Sequence, residues 1–174
     1  MTDNCESEKN QELSKSFNDA DYAELLDYYR QGCPNTPAEI LEKVASIYWG
    51  SLVCMDTADI VQALSHPGKK AMITEDVADR SQWIPVANKL CHQILDQWID
   101  PAYTGYIVGI MLVNTELMKS SCLKEYVSVV NSLRSHKLTD DDRKIIFSLS
   151  IGESLEPSGL TLIFSGVGAS AVDE

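Results

Sequence analysis

From residue 19 onward, apolar residues recur at helical spacing in some stretches and form short unbroken runs in others. In NDADYAELLDYYRQG, Tyr22, Leu25, Leu26 and Tyr29 fall at i, i+3, i+4 and i+7, one face of a helix that Asn18 or Asp19 can cap and Gly32 can stop. CPNTP breaks that helix. A second helix begins at Pro37, with Thr36 as cap, and carries the stripe Ile40, Leu41, Val44, Ile47 and Tyr48 up to Gly50. A loop follows, then a short helix from Thr57 to about Ser65, closed by HPG. Residues 71–74 read as a short strand. SQWIPVANKLCHQILDQWI, capped by Ser81, reads as a helix with Trp83, Ile84, Ala87, Leu90, Ile94, Leu95 and Trp98 apolar and Pro85 in its first turn.

GYIVGIMLV is short enough for a buried strand, and CLKEYVSVVNSLRSH is helical with Leu123, Val127, Val130 and Leu133 on one side. RKIIFSLSI and SGLTLIFSGVG are strands, and the Gly, Pro and Ser chemistry of GESLEPSG between them predicts a hairpin. After residue 66 the order is strand, helix, strand, helix, strand, strand. The fold class is therefore α/β: a mixed four-stranded sheet with helices on one face, preceded by a long helix and an N-terminal one. Residues 1–18 are polar and charged and read as a disordered acidic tail, leaving 19–174 as a single domain.

Composition narrows the function. An apolar share of 44% suffices for a packed core. A net charge of −12 repels phosphates and anionic lipid, which argues against nucleic acid and membrane partners and suits a basic protein surface or plain solubility. The five cysteines, Cys5, Cys33, Cys54, Cys91 and Cys122, are odd in number and contain no CxxC, so reduced, mostly buried thiols in a cytoplasmic protein are expected. The N-terminus lacks the basic-then-apolar pattern of a signal peptide, and the longest apolar run, the eight residues of YIVGIMLV, is too short to span a bilayer.

Few residues suggest chemistry. His66, His92 and His136 lie far apart in sequence, and adjacent Cys91 and His92 point to different sides of a helix. No metal site is expected, and Cys91 is assigned to the core. Trp83 and Trp98 share a helix face and read as core or rim, and TDDDRK as a solvated loop. The stretch VCMDTADIVQALSHPG holds the one arresting feature, Asp56 and Asp59 where a loop enters a helix. Carboxylates there accept N–H bonds and complement the helix dipole, for about 0.5–2 kcal/mol at a cap. That structural role competes with an interface role.

Those residues also carry a resemblance. MDTADIVQAL resembles the stretch joining the central helix to the C-terminal domain in the bacterial tubulin homologue FtsZ. The family pattern there is Asn-x-Asp-Phe-Ala-Asp-Val. Asp56, Ala58, Asp59 and Ile60 fall on it, Thr57 replaces the aromatic, and Cys54 stands at the Asn position. SHPGKKAM resembles the family's Ser-x-x-Gly-x-Ala-Met segment through Ser65, Gly68, Ala71 and Met72, with one extra residue. AYTGYIVGI resembles a family strand through Ala102, Gly105, Ile107, Val108 and Ile110. VVNSLRSH resembles a helix ending, and LTLIFSGVG the terminal strand. The resemblance runs from about Pro37 to Gly168.

It implies a domain like the C-terminal half of FtsZ. Nothing in the chain resembles the glycine-rich GGGTGSG phosphate loop of the family's nucleotide domain, so GTP binding, a cofactor or enzymatic activity is not expected of it. In family filaments the aspartate loop enters the neighbour's nucleotide pocket and, helped by a cation, orients the attacking water. The resemblance thus implies a protein-binding role, regulating or capping FtsZ-type filaments, with Met55, Asp56, Thr57 and Asp59 as partner-binding residues. Cys54 for Asn, and a shortened loop, put water activation in doubt. The competing class is a small acidic chaperone for a secreted or basic client. The helix over 20–31 lies outside the matched segment and is expected to pack along the long helix and cover its apolar face, with homodimerisation as the alternative cover.

Overall fold

The computed structural model describes residues 19–47, 51–97, 105–115, 117, 122–137, 139, 144–152 and 157–167. The tail, Tyr48 to Gly50, Trp98 and the acidic run 140–143 lie outside them. In chain order the elements are α1 (Asp19–Gly32), α2 (Ala38–Ser46), β1 (Ser51–Val53), α3 (Thr57–Ser65), β2 (Lys69–Asp76), a 3-10 turn (Arg80–Gln82), α4 (Trp83–Gln97), β3 (Tyr106–Asn114), α5 (Cys122–Ser135), β4 (Ile145–Gly152) and β5 (Gly159–Val167).

The sheet has the order β1-β4-β3-β5-β2, with β3 and β4 parallel and every other pair antiparallel. The mixed α/β class stands, and β1 adds a fifth strand within the expected loop. The hairpin between β4 and β5 does not form, because β3 lies between them and pairs with both. β3 is apolar at nearly every position, so the centre of the sheet is where it loses most water.

Successive residues of β3 face opposite layers. Ile107, Met111 and Val113 pack with Trp83, Leu90, Cys91 and Ile94 of α4 and with Val129 and Leu133 of α5. Val108 and Ile110 pack with Leu26 and Tyr29 of α1, Ile40, Leu41 and Val44 of α2, and Ile60 and Leu64 of α3. The two helices after residue 66 share one face, as expected. The three before it cover the other, so the domain has three layers. The expected packing of α1 along α2 is present and extends to α3: the Cys33 thiol donates to the Val61 carbonyl at 3.6 Å, and the Thr36 hydroxyl to that of Leu64 at 3.1 Å. Thr36 therefore ties the helices together and does not cap α2, whose N-cap position is Pro37.

Two further local expectations are corrected. Asp79, not Ser81, caps the turn before α4. It accepts from the Ser81 amide at 2.8 Å, while the Gln82 side chain accepts from the Asp79 amide, a capping box. On α5 the buried stripe is Tyr126, Val129, Val130 and Leu133, and Leu123 and Val127 point to solvent. The Tyr126 hydroxyl donates to the Phe147 carbonyl at 3.1 Å, and Arg80 pairs with Glu125 at 2.6 Å; together they set the rotation of the helix. Cys91 is buried as expected, and burial pushes its thiol up to about 12.

Glycine is required where strands meet closely. Gly166, at φ 90°, is the extra residue of a bulge between β5 and the start of β2. A Cβ on Gly105 would lie 2.5 Å from the His66 ring, which also meets Tyr106 edge-on. On β3, a Cβ on Gly109 would lie 2.0 Å from the Phe147 ring across the parallel pair. Gly109→Ala is accordingly expected to destabilise the domain by about 1–3 kcal/mol, the range of core overpacking. Urea unfolding measures it, and Phe147→Leu in the same chain should restore part of the loss.

Candidate functional site

The acidic pair is set at the start of α3 by what precedes it. α2 ends at Ser46, and Ser51–Val53 pair with β4 as an edge strand, fixed by Ser51 Oγ on Ser150 Oγ at 3.0 Å and on the Ile47 carbonyl at 2.6 Å. Only Cys54 and Met55 then separate β1 from Asp56. Met55 is 8% exposed, part of the core between α2 and α3. It is therefore withdrawn from the expected partner-binding set: an apolar side chain beside Val44 and Ile60 is held by the core. Burying Met55 turns the next residue outward.

Asp56 has extended backbone (φ −70°, ψ 136°), and its Oδ1 accepts from the Ala58 amide at 2.8 Å. Its own carbonyl accepts from the Ile60 amide at 3.1 Å. It is the N-cap of α3 and remains exposed. Asp59, one turn on, is exposed and has no hydrogen-bond or ion-pair partner among the described residues. Capping thus accounts for Asp56, whereas Asp59 makes no capping bond and complements the dipole of the first turn. Cys54, at the position expected to bear an amide, is exposed, and its thiol donates to the Ser51 carbonyl at 3.7 Å.

Thr57, half-buried, joins this end to α1. Together with Asp21, Glu24, Leu25 and Tyr28 it lines an open groove of about 360 Å³. The floor is apolar, from Leu25 and the ring of Tyr28, which is 49% exposed. Asp21 and Glu24 make its polar lining acidic, and Asp56 and Asp59 flank Thr57 in sequence. Sequence reasoning did not reach Asp21, Glu24 and Tyr28. The signal was present, since these residues lie off the Tyr22, Leu25, Leu26, Tyr29 stripe and make its polar border acidic. The arrangement favours a cationic or cation-bearing partner surface. No group of three His, Cys, Asp or Glu side chains among the described residues could hold a metal ion.

Among solved structures, an empty FtsZ dimer from M. jannaschii is similar to this chain over 84% of its length, with a TM-score of 0.52 and 18% identity. A W319Y mutant of the M. jannaschii protein gives a TM-score of 0.57 over 79%, again at 18% identity. The fold is FtsZ-like. A GTPγS-bound protofilament of CetZ2 from Haloferax volcanii overlaps less, with a TM-score of 0.49 and 9% identity over 77% of this chain and 38% of that one. The FtsZ-like domain spans 44% of each M. jannaschii FtsZ chain. No family model and no curated protein matches it. At such identity the likeness is one of fold, and the role of the acidic end is a matter for its own geometry. No helix among the described residues of the FtsZ-like domain is long and apolar enough to cross a membrane.

The fold also gathers residues that looked unrelated in sequence. His92 of α4 and His136, just past α5, stack edge-on with ring centroids 5.2 Å apart. His136 Nε2 lies 2.9 Å from Asn88 Oδ1, which also accepts from Ser132 Oγ at 2.7 Å. Burial, and secondarily the facing His92, hold the His136 pKa below the ordinary imidazole value.

Two outcomes follow. Asp56→Ala is expected to cost about 1 kcal/mol of unfolding free energy through loss of the cap, whereas Asp59→Asn should cost no more than about 0.5 kcal/mol; urea titration separates them. For His136, a depressed folded-state pKa means the unfolded chain takes up the proton first as pH falls. Its stabilising contribution is complete above about pH 6.5 and is lost on acidification below it. The urea midpoint of wild type should therefore fall more steeply between about pH 7 and 5 than that of His136→Gln.

Proposed function

We propose that this domain is a non-enzymatic, protein-binding module whose acidic end docks on the nucleotide-bearing end of an FtsZ-type subunit. The observation that carries this reading is Asp59: an exposed carboxylate in the first turn of α3, with no hydrogen-bond or ion-pair partner among the described residues, close in sequence to the cap Asp56 and to Thr57 of an acid-lined groove. With the cap supplied by Asp56, the helix gains from Asp59 only the modest dipole interaction. The FtsZ-like fold is what suggests this class of partner, and the acidic groove lining favours a cationic surface on it.

Docking and catalysis separate on this reading. The carboxylates face outward and can meet a neighbour's bound cation. The group that would help them aim a water is replaced by the Cys54 thiol, whose weak donor is directed to the Ser51 carbonyl. β1 also holds the loop short. A domain that occupies a filament end through this surface blocks that end against the next subunit.

The test is sedimentation of FtsZ polymers assembled with GTP in the presence of increasing amounts of this protein. Pelleted mass should fall at substoichiometric protein, as end-binding requires, and GTP turnover should fall with it. Asp59→Asn, which leaves the cap in place, should relieve the effect, and added salt should weaken it. Unchanged polymer mass and unchanged turnover would overturn the proposal.

A further inference from the structure

The two edges of the sheet are built differently. β1 is three residues long and pairs irregularly with β4. β2 runs eight residues, Lys69–Asp76, and among the described residues nothing pairs with its outer side. None of the eight is buried, although Ala71, Met72 and Ile73 stand at its centre, and none is proline. A strand edge of this length is a ready template for another strand unless its charges forbid it. The charges here are ordered in space: KKAMITED begins with two cations and ends with two anions. A parallel copy would set like charges side by side. An antiparallel copy sets unlike charges together.

The faces of β2 sharpen this. Ile73 packs toward the α4–α5 layer, and Glu75 pairs with Lys89 of α4 at 2.5 Å. Met72 packs toward the α1–α3 layer, and the Thr74 hydroxyl meets that of Thr161 at 2.9 Å. A two-fold axis normal to the sheet makes each face continuous between copies, so residues standing opposite must come from the same face. Two registers meet that condition. Centred on Met72, Lys69 stands opposite the partner's Glu75, and Lys70 is diagonal to the partner's Asp76. Centred on Ile73, Lys70 stands opposite the partner's Asp76, and Lys69 is diagonal to the partner's Glu75. In either register both cations of the strand stand beside an acid, twice over by symmetry; Lys70, which donates to the His66 and Gly68 carbonyls at 3.0 and 3.2 Å, and Glu75, which pairs with Lys89, would share those bonds with the partner.

We propose that β2 is a self-complementary edge through which two copies of this chain pair antiparallel, joining their sheets edge to edge. The contact is isologous and closes on itself, since it consumes both β2 edges. At the far side of each sheet, the short, irregular β1 offers little template for further growth. A net charge of −12 per chain opposes association, so the local Lys–acid pairing decides whether it occurs.

Sedimentation equilibrium of the chain from about 1 to 500 μM should show a monomer–dimer equilibrium that weakens with salt, as a small, charge-steered interface requires. Lys69→Glu with Lys70→Glu gives a strand acidic at both ends, and Glu75→Lys with Asp76→Lys one basic at both ends. Each double variant should raise the dimer dissociation constant at least about tenfold. Mixed one to one, they should regain a dimer containing one chain of each. Without any variant, β2 amides should exchange hydrogen more slowly at high than at low protein concentration. A wild-type chain that stays monomeric throughout, a dimer that both variants leave intact, a mixture that stays monomeric, or β2 exchange independent of concentration would each overturn the proposal.

Discussion

With Ile107, Met111 and Val113 on one side and Val108 and Ile110 on the other, β3 is removed from water only if a layer of helices lies on each face. Most of the architecture answers that requirement. α4 and α5 close one side. α1, α2 and α3 close the other, and Ser51–Val53, between α2 and α3, lie at the edge of the sheet. That short strand pairs with β4, and Met55 just beyond it lies in the core. The outward turn of Asp56 thus follows from the burial of Met55 in the layer that covers the second face of β3.

That second face also carries most of the buried hydroxyls in the sheet. Ser150, Thr161 and Ser165 are buried against the α1–α3 layer and bonded, Ser150 to Ser51, Thr161 to Thr74, and Ser165 to the Ala63 carbonyl, whereas the equally buried Ser148 hydroxyl has no hydrogen-bond partner among the described residues. Small residues with one hydrogen-bonding group let α3 approach closely while meeting the needs of buried polar atoms. Aliphatic side chains at these places would push the helix outward, and with it the loop that bears the carboxylates.

Amphipathic elements were legible in the sequence because one buried face leaves a periodic trace. The stripes of α1 and α2, and the burial of Trp83, Leu90 and Ile94 on α4, follow directly from apolar spacing. What was lost is what periodicity cannot carry. GYIVGIMLV is apolar at almost every position because both its faces are covered, so the run itself held the evidence for three layers, yet it does not say which helices go where. On α5, Leu123 with Val127 and Val129 with Leu133 offer two apolar lines, and the choice rests on Tyr126 reaching the Phe147 carbonyl and Glu125 reaching Arg80, which are contacts between distant segments. β1 is too short for any pattern. At the candidate site, Asp56 and Asp59 were visible as a pair. Their different standing was not, since only the folded chain shows that one carboxylate is bonded to Ala58 and the other to nothing described.

This difference bears on how such a surface can persist or decay. A cap is held by stability: losing Asp56 leaves an amide at the start of α3 without its side-chain acceptor, whatever the domain binds. Asp59 has no such anchor, and in a chain with 26 acidic residues and 14 basic ones its charge adds to self-repulsion instead of relieving it. What the fold gains from an acid there is the helix-dipole interaction of the first turn, weaker than a cap. Asp59 and the groove lined by Asp21, Glu24 and Thr57 thus give this part of the domain a charge of one sign that the helix dipole offsets only in part.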